Sequence, residues 1–150
     1  MENGHMKTPV EKAKGVKTKV ITQKVTIPAT PAEVYDAFMD ARTHAAFTGG
    51  KATCNPKVGG KISAWDGYIT GKNLKLVAGK RIVQEWITTD WIEGYPPSKL
   101  DLTFTKKGNG TELKMIHSKV PATMAASFAD GWKEHYWAPL KNYFQEKHAK

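Results

Sequence analysis

Hydrophobic and polar residues alternate with two different periods along this chain, and the changes of period divide it into elements. The apolar positions of residues 16–20 share one parity and those of residues 21–27 share the other. This pattern predicts a long strand with a bulge at the change of parity. Thr30–Glu33 then has the spacing of a capping box with proline in the first turn. It predicts a helical stretch that closes at Gly49-Gly50.

Residues 51–120 consist of short apolar runs separated by glycine, proline and asparagine, a pattern typical of an antiparallel meander. Two of the predicted strands have clean inner rows: Leu100, Leu102 and Phe104, then Leu113, Met115 and His117. Pro121 ends the predicted sheet. The faces of Trp65 and Tyr68 stay open, because the turn at Asp66-Gly67 can reset the alternation.

The C-terminal segment has apolar residues at helical spacing and concentrates aromatic side chains between Gly131 and Leu140. Trp132, His135 and Tyr136 lie on its predicted inner face. Pro139 falls inside the pattern and predicts a kink near Tyr136, because proline cannot donate a backbone hydrogen bond. Trp137 falls roughly 140° from the centre of the apolar face. Either another segment covers it, or it forms a partner-binding patch.

The order of these elements predicts the fold class. One strand, two short helices, five or six further strands and one long helix predict an α+β fold, in which a curved antiparallel sheet of six or seven strands wraps around the C-terminal helix. About 25 residues at 1.5 Å each give that helix a length of roughly 37 Å. A cavity between sheet and helix is the default ligand site. We expect residues 1–15 to form a disordered basic tail and residues 16–150 a single domain.

The composition excludes several classes of function. The chain has 150 residues and a net charge of +9, but only Arg42 and Arg81 of its 23 basic residues are arginine. Lysine-rich solvated surface is therefore favoured over nucleic-acid recognition. Cys54 is the only cysteine, so no internal disulfide can form and a reducing cytoplasm is expected. The sequence shows neither a membrane-spanning run nor the apolar core of a signal peptide.

The sequence offers few residues for metal or cofactor chemistry. Its five histidines lack the paired spacing of metal ligands, Cys54 has no cysteine partner, and no phosphate-binding loop is present. We therefore expect no metal and no cofactor. Gln84, His117 and His135 are the polar groups predicted to face the cavity, where each could orient a ligand or satisfy a buried partner.

Several spaced motifs occur in an order that resembles one known family. They are Val58-Gly59-Gly60, Trp65 to Gly71, Gly79 to Trp86, Asp90-Trp91, His117, and Gly131-Trp132 with Tyr136-Trp137. From about Thr18 to Gln145 the chain resembles the heat-shock-protein-90 ATPase activator family, within the START-like or SRPBCC superfamily. The resemblance implies a helix-grip fold. Members of this superfamily bind lipids, polyketides and other apolar ligands in the cavity. The resemblance also implies a chaperone as a partner.

Three functional hypotheses follow. The first is a monomeric binding module for an apolar small molecule or lipid-like ligand. Its walls would be Trp86, Leu102, Phe104, Met115, Trp132 and Tyr136, with Gln84, His117 and His135 as polar groups. The second is a co-chaperone-type interaction module that uses lysine-rich surface with Trp91 and Trp137. The third is a cyclase- or hydrolase-like enzyme using His117 and a carboxylate, although no catalytic residue is assigned. A cavity of several hundred Å³ would favour the first hypothesis.

Overall fold

The computed structural model describes residues 17–148, so the predicted tail at residues 1–15 lies outside the described part. The strands are β1 (Thr18–Ile27), β2 (Thr53–Cys54), β3 (Lys61–Ala64), β4 (Ile69–Val77), β5 (Arg81–Thr88), β6 (Ser98–Lys107) and β7 (Gly110–Pro121). The helices are α1 (Pro31–Met39), α2 (Ala41–Thr48), α3 (Ala122–Trp132) and α4 (Ala138–His148), with a π-helical turn, Lys133–Trp137, joining the last two. We call the continuous run from α3 to α4 the C-terminal helix.

All seven strands form one antiparallel sheet in the order β1-β7-β6-β5-β4-β3-β2. The C-terminal helix packs against the β1 and β7 side of this sheet. The register of β1 on β7 shifts between Lys19 and Ile21, which confirms the bulge predicted from the change of parity. The α+β helix-grip fold predicted from the order of elements is confirmed, with two short helices after the first strand.

The capping box at the start of α1 is present as predicted. The Glu33 backbone N–H donates to Thr30 Oγ1 at 3.2 Å, and the Thr30 N–H donates to Glu33 Oε1 at 3.0 Å. Asp40 then ends α1 and caps α2, accepting from the Arg42 N–H at 3.2 Å. Asp40 thus divides the helical stretch into two short helices.

The predicted inner rows of β6 and β7 are confirmed. Leu102, Leu113, Met115 and His117 have no exposed surface, and Leu100 is 1% exposed. These rows form the centre of the core because α1 and the C-terminal helix cover them from the same side.

The predicted helix phase is wrong in the second half of the C-terminal helix. Trp137 and Phe144, which a regular helical period from Trp132 places away from the apolar face, are 5% and 1% exposed, whereas the His135 side chain, predicted on the inner face, is 60% exposed. The cause is the π-helical turn at Lys133–Trp137. A π turn closes hydrogen bonds one residue further apart than an α turn, so later side chains rotate by about one residue, roughly 100°.

This π turn lies directly before Pro139, where the sequence predicts a break in helix regularity. The Ala138 N–H donates to the Lys133 carbonyl, five residues back. Proline would crowd the carbonyl four residues earlier in a regular helix. The irregularity thus takes the form of a widened turn just upstream of the proline.

Candidate functional site: a groove beside the C-terminal helix

A groove of about 690 Å³ lies between the C-terminal helix and the β4–β5 part of the sheet. It is lined by Trp65, Tyr68, Ile69, Trp86, Thr88, Ser127, Phe128, Asp130, Gly131, Trp132, Glu134, His135 and Tyr136. Aromatic rings dominate this lining. Such a volume lies within the range of small-molecule sites.

The inner wall of the groove consists of two stacked indoles and a tilted tyrosine ring. Trp86 on β5 lies nearly parallel to Trp132, with ring centroids 5.1 Å apart and planes at 23°. Tyr136, one helical turn after Trp132, places its ring 4.6 Å from that indole. All three are at most 6% exposed, so packing fixes their orientation before any ligand arrives.

Trp65 forms part of the groove from a strained backbone position. It has φ 54° and Asp66 has φ 59°, both in the left-handed region that bulky residues avoid. Such a conformation costs about 1–3 kcal/mol and persists only where its surroundings hold it. Here Lys51 holds it, because its N–H donates to Asp66 Oδ1 at 3.0 Å and its carbonyl accepts from the Asp66 N–H at 3.1 Å. Gly50 packs against Trp65, where a β-carbon would lie 3.1 Å from the indole.

A short polar chain lies along the sheet side of the groove. The Tyr68 hydroxyl donates to Asp90 Oδ1 at 3.1 Å, and the Thr88 hydroxyl donates to the same oxygen. The hydrogen bond from Thr88 holds the pKa of the Asp90 carboxyl below its usual range. A negative charge is therefore retained at this rim.

His117 lies behind the aromatic wall, fully buried, in a network that fixes its tautomer. The Trp132 Nε1–H donates to His117 Nδ1 at 3.2 Å, so Nδ1 is an acceptor and Nε2 carries the proton. Nε2–H then donates to Ser98 Oγ at 2.7 Å, and the Ser98 hydroxyl donates to the Trp86 carbonyl at 3.3 Å. Burial lowers the pKa of His117 to about 3, so the ring is neutral.

The side-chain amide of Gln84 is also engaged in hydrogen bonds within the protein. Its Nε2 donates to Asn73 Oδ1 at 2.9 Å, and its Oε1 accepts from Trp86 Nε1 at 3.0 Å. Asn73 in turn donates to the carbonyls of Asn55 and Lys57. Gln84 therefore ties the Trp86 indole to the β2–β3 loop and orients the wall from behind.

His44 is a buried polar group that sequence reasoning did not single out. Its Nε2 lies 3.2 Å from the Tyr136 hydroxyl, which burial keeps protonated by raising the pKa of the tyrosine. Burial lowers the pKa of His44 to about 4, and its Nδ1 has no hydrogen-bond partner among residues 17–148. It holds Tyr136 from α2, where Phe38 and Phe47 surround it.

The structure brings only part of the predicted ligand-binding set to the groove. The members that line it are Trp86, Trp132, His135 and Tyr136. Leu102, Phe104 and Met115 are not among the lining residues, because the rows of β6 and β7 are covered by other elements: Phe104, for example, packs on Tyr35 and Phe38 of α1. Gln84 and His117 lie behind the wall.

Several groove residues were not predicted as binding residues. The sequence pattern assigns no face to Trp65 and Tyr68, because the Asp66-Gly67 turn can reset the alternation. Ser127 gave no signal, because a lone serine on a helix is ordinary. Only the path of the chain around the turn shows that these side chains share one groove with Trp86.

The predicted partner-binding tryptophans are not free surface residues. Trp137 is buried, stacks on Trp132 at 5.0 Å, and its Nε1 donates to Gln23 Oε1 at 2.6 Å. β1 is thus the segment that covers it. Trp91 is half-buried against Phe128, and its Nε1 donates to the Tyr95 carbonyl at 3.2 Å.

A second groove, of about 540 Å³, lies on the β1 side of the C-terminal helix. Lys24, Lys133 and Lys141 line it, together with Gln23 and Asn142. Val25, Trp137 and Ala138 also line it, so the predicted partner-binding residue Trp137 contributes to this groove. Its three lysines make the groove basic and suited to an acidic surface.

The described residues provide no metal cluster and no membrane-spanning helix. Within residues 17–148, no three histidine, cysteine, aspartate or glutamate side chains are grouped so that they could hold a metal ion. No helix in the same range has the length and apolar composition needed to cross a bilayer.

The sequence of this chain is similar to those of known proteins. It is 34% identical over 136 residues to the activator of 90 kDa heat shock protein ATPase homolog 1 of Mus musculus, an alignment covering 88% of this chain and 40% of the mouse protein. It is 30% identical over 128 residues to the homologue of Dictyostelium discoideum, covering 85% of this chain and 33% of that protein. The chain spans less than half the length of these relatives.

Solved structures share its fold. An HSP90 activator from Plasmodium falciparum superposes with a TM-score of 0.76 at 27% identity, covering 87% of this chain and 97% of that one. CalU16 from Micromonospora echinospora superposes with a TM-score of 0.62 at 23% identity, covering 79% and 70%. The family model described as Activator of Hsp90 ATPase homolog 1-like protein matches residues 28–145. The chain therefore belongs to this activator family and has its helix-grip, SRPBCC-type fold.

Proposed function

We propose that this protein binds an apolar, ring-containing small molecule or lipid-like ligand in the groove beside its C-terminal helix. One observation carries the proposal: six aromatic side chains line a groove of about 690 Å³. They are Trp65, Tyr68, Trp86, Phe128, Trp132 and Tyr136. Preformed aromatic walls bind flat apolar groups at low entropic cost, since packing has already fixed the rings.

The same geometry supports binding rather than acid–base catalysis. His117 is buried and neutral, and both of its ring nitrogens are engaged by Trp132 and Ser98. A general acid or base must reach the proton it transfers. His117 therefore serves to orient Trp132, and the proposal assigns no catalytic role to it.

The variant that tests this proposal is Ser127→Trp. Ser127 is exposed and lines the groove, so an indole at this position fills the groove without entering the core. A thermal-shift screen with lipids and polycyclic natural products, followed by calorimetric titration of the best compound, should show binding to the original protein. We expect Ser127→Trp to weaken that binding at least tenfold, about 1.4 kcal/mol.

Ala126→Trp is the matched control, because Ala126 is an exposed neighbour on the same helix outside the groove lining. It should leave both the midpoint shift and the affinity unchanged. If no compound raises the unfolding midpoint, or if both variants bind equally well, groove binding is wrong.

We propose a second function, contact with an Hsp90-type chaperone, on the strength of the 34% identity to the mouse activator. The basic second groove, with Lys24, Lys133 and Lys141, supports this proposal as a surface that can contact an acidic region of a partner protein.

We further propose that the protein is cytoplasmic and monomeric. A single free cysteine, Cys54, suits a reducing compartment.

The measurement for the chaperone proposal is the ATPase rate of Hsp90 titrated with this protein. We expect the rate to rise and saturate, and Lys133→Glu with Lys141→Glu to reduce the effect by reversing the charge of the groove. Lys106→Glu at the far end of β6 is the control and should act like the original protein. An unchanged rate with no detectable complex would exclude chaperone activation.

A further inference from the structure

The C-terminal helix separates charges of opposite sign onto its two sides. Asp130 and Glu134, about one turn apart, line the aromatic groove. Lys133 and Lys141 line the second groove, on the β1 side. Although the chain is strongly basic, the aromatic groove therefore has an acidic rim.

The lining of the aromatic groove also contains no lysine or arginine side chain, although the chain has a net charge of +9. On the opposite rim, Tyr68 and Thr88 both donate to the Asp90 carboxylate. Negative charge thus lines the groove on the helix side, and Asp90 adds a further carboxylate behind Tyr68 and Thr88 on the sheet side. This charge would attract a cation and repel an anion.

The aromatic rings add an attraction of the same sign. Ring faces attract cations within about 6 Å of the centroid, and tryptophan does so most strongly. Trp65, Trp86 and Trp132 all line the groove. Trp86 and Trp137 stack on Trp132 and cover its ring, so half-buried Trp65 is the most accessible of the three indoles. An apolar ring system can pack against Trp65 and the edge of this wall while an attached amine lies near the carboxylates of Asp130 and Glu134, which line the same groove.

We infer that the groove selects cationic amphiphiles: molecules with a flat or apolar ring body and one protonated amine. This inference rests on the proposed function of the groove and specifies its ligand class. Neutral sterol-like molecules would bind through the rings alone. Fatty acids and other carboxylates would meet the acidic rim and bind most weakly.

Three probes of one shape and different charge test the selection: 2-(aminomethyl)naphthalene, 2-naphthalenemethanol and 2-naphthoate. We expect calorimetric titration at low salt to give about tenfold tighter binding of the amine than of the alcohol, with the carboxylate weaker still. The preference should shrink as salt is added, because surface charges are screened.

The double variant Asp130→Asn/Glu134→Gln should bind the alcohol as before and lose most of the preference for the amine. Glu146→Gln, an exposed glutamate of the same helix outside the groove, should keep the preference. Equal binding of all three probes by the original protein, or an unchanged preference in the double variant, would overturn the inference. If the three probes bind the original protein equally well but Ser127→Trp blocks them all, groove binding stands and only the cation preference is wrong.

Discussion

Replacing Trp132 with alanine should lower the free energy of unfolding by about 4 kcal/mol, the largest single-residue effect we expect. The side chain is 3% exposed and stacks on Trp86 and on Trp137. Its loss opens a cavity and removes the donor that pairs with His117 Nδ1. A buried acceptor without a partner adds a further penalty of about 1–3 kcal/mol if nothing replaces the hydrogen bond.

Urea unfolding followed by far-ultraviolet circular dichroism measures this effect without relying on tryptophan emission. Trp132→Phe keeps a ring in the stack but removes the Nε1–H, so it should cost less than the alanine variant. Trp91→Ala, at a half-buried position, is a matched control and should also cost less. A loss below about 1 kcal/mol for Trp132→Ala would contradict the packing described here.

Acidification from pH 6.5 to pH 5 should destabilise the fold by about 3 kcal/mol through His44 and His117 together. Burial lowers their pKa values to about 4 and about 3, against about 6.5 in the unfolded chain. Between these limits the unfolded state binds more protons than the folded state, so stability falls as pH falls. Each histidine contributes about 1.6 kcal/mol over this interval, because the slope rises from about half of 1.36 kcal/mol per pH unit at pH 6.5, where the unfolded imidazole is half protonated, to nearly the full value at pH 5.

The test is the free energy of unfolding measured in urea at half-unit steps from pH 7.5 to pH 5. His44→Phe should remove about half of the pH dependence in this range, whatever its effect at pH 7. His135→Gln is the control, because His135 is exposed, and it should leave the profile unchanged. A flat profile for the original protein would show that both buried histidines gain access to solvent or to a proton without unfolding.

Local patterns that depend on near neighbours were predicted well. The Thr30–Glu33 capping box, the bulge between Lys19 and Ile21, and the alternation of β6 and β7 all appear in the structure as expected. Each is set by interactions within a few residues or by the period-two geometry of a strand. Their residue types therefore suffice to predict them.

The phase of the C-terminal helix was predicted well only up to its π turn. A 3.6-residue period extrapolated from Trp132 puts Trp137 and Phe144 in water, yet the widened turn brings both into the core. What stabilises that turn is tertiary: Gln23 of β1 accepts from the Trp137 indole, and Phe144 is buried in the hydrophobic core. No period computed along the helix contains this information.

The candidate site also contains residues that the sequence predicts and residues whose roles only the structure shows. The sequence by itself determined the helix-grip class, the family and the aromatic residues Trp86, Trp132 and Tyr136, because periodicity and motif spacing are written along the chain. Only the tertiary structure decided that a left-handed turn aims Trp65 into the same groove, and that His117 and Gln84 support the wall from behind. Such roles depend on distances between residues far apart in sequence, and these exist only once the sheet and helix have packed together.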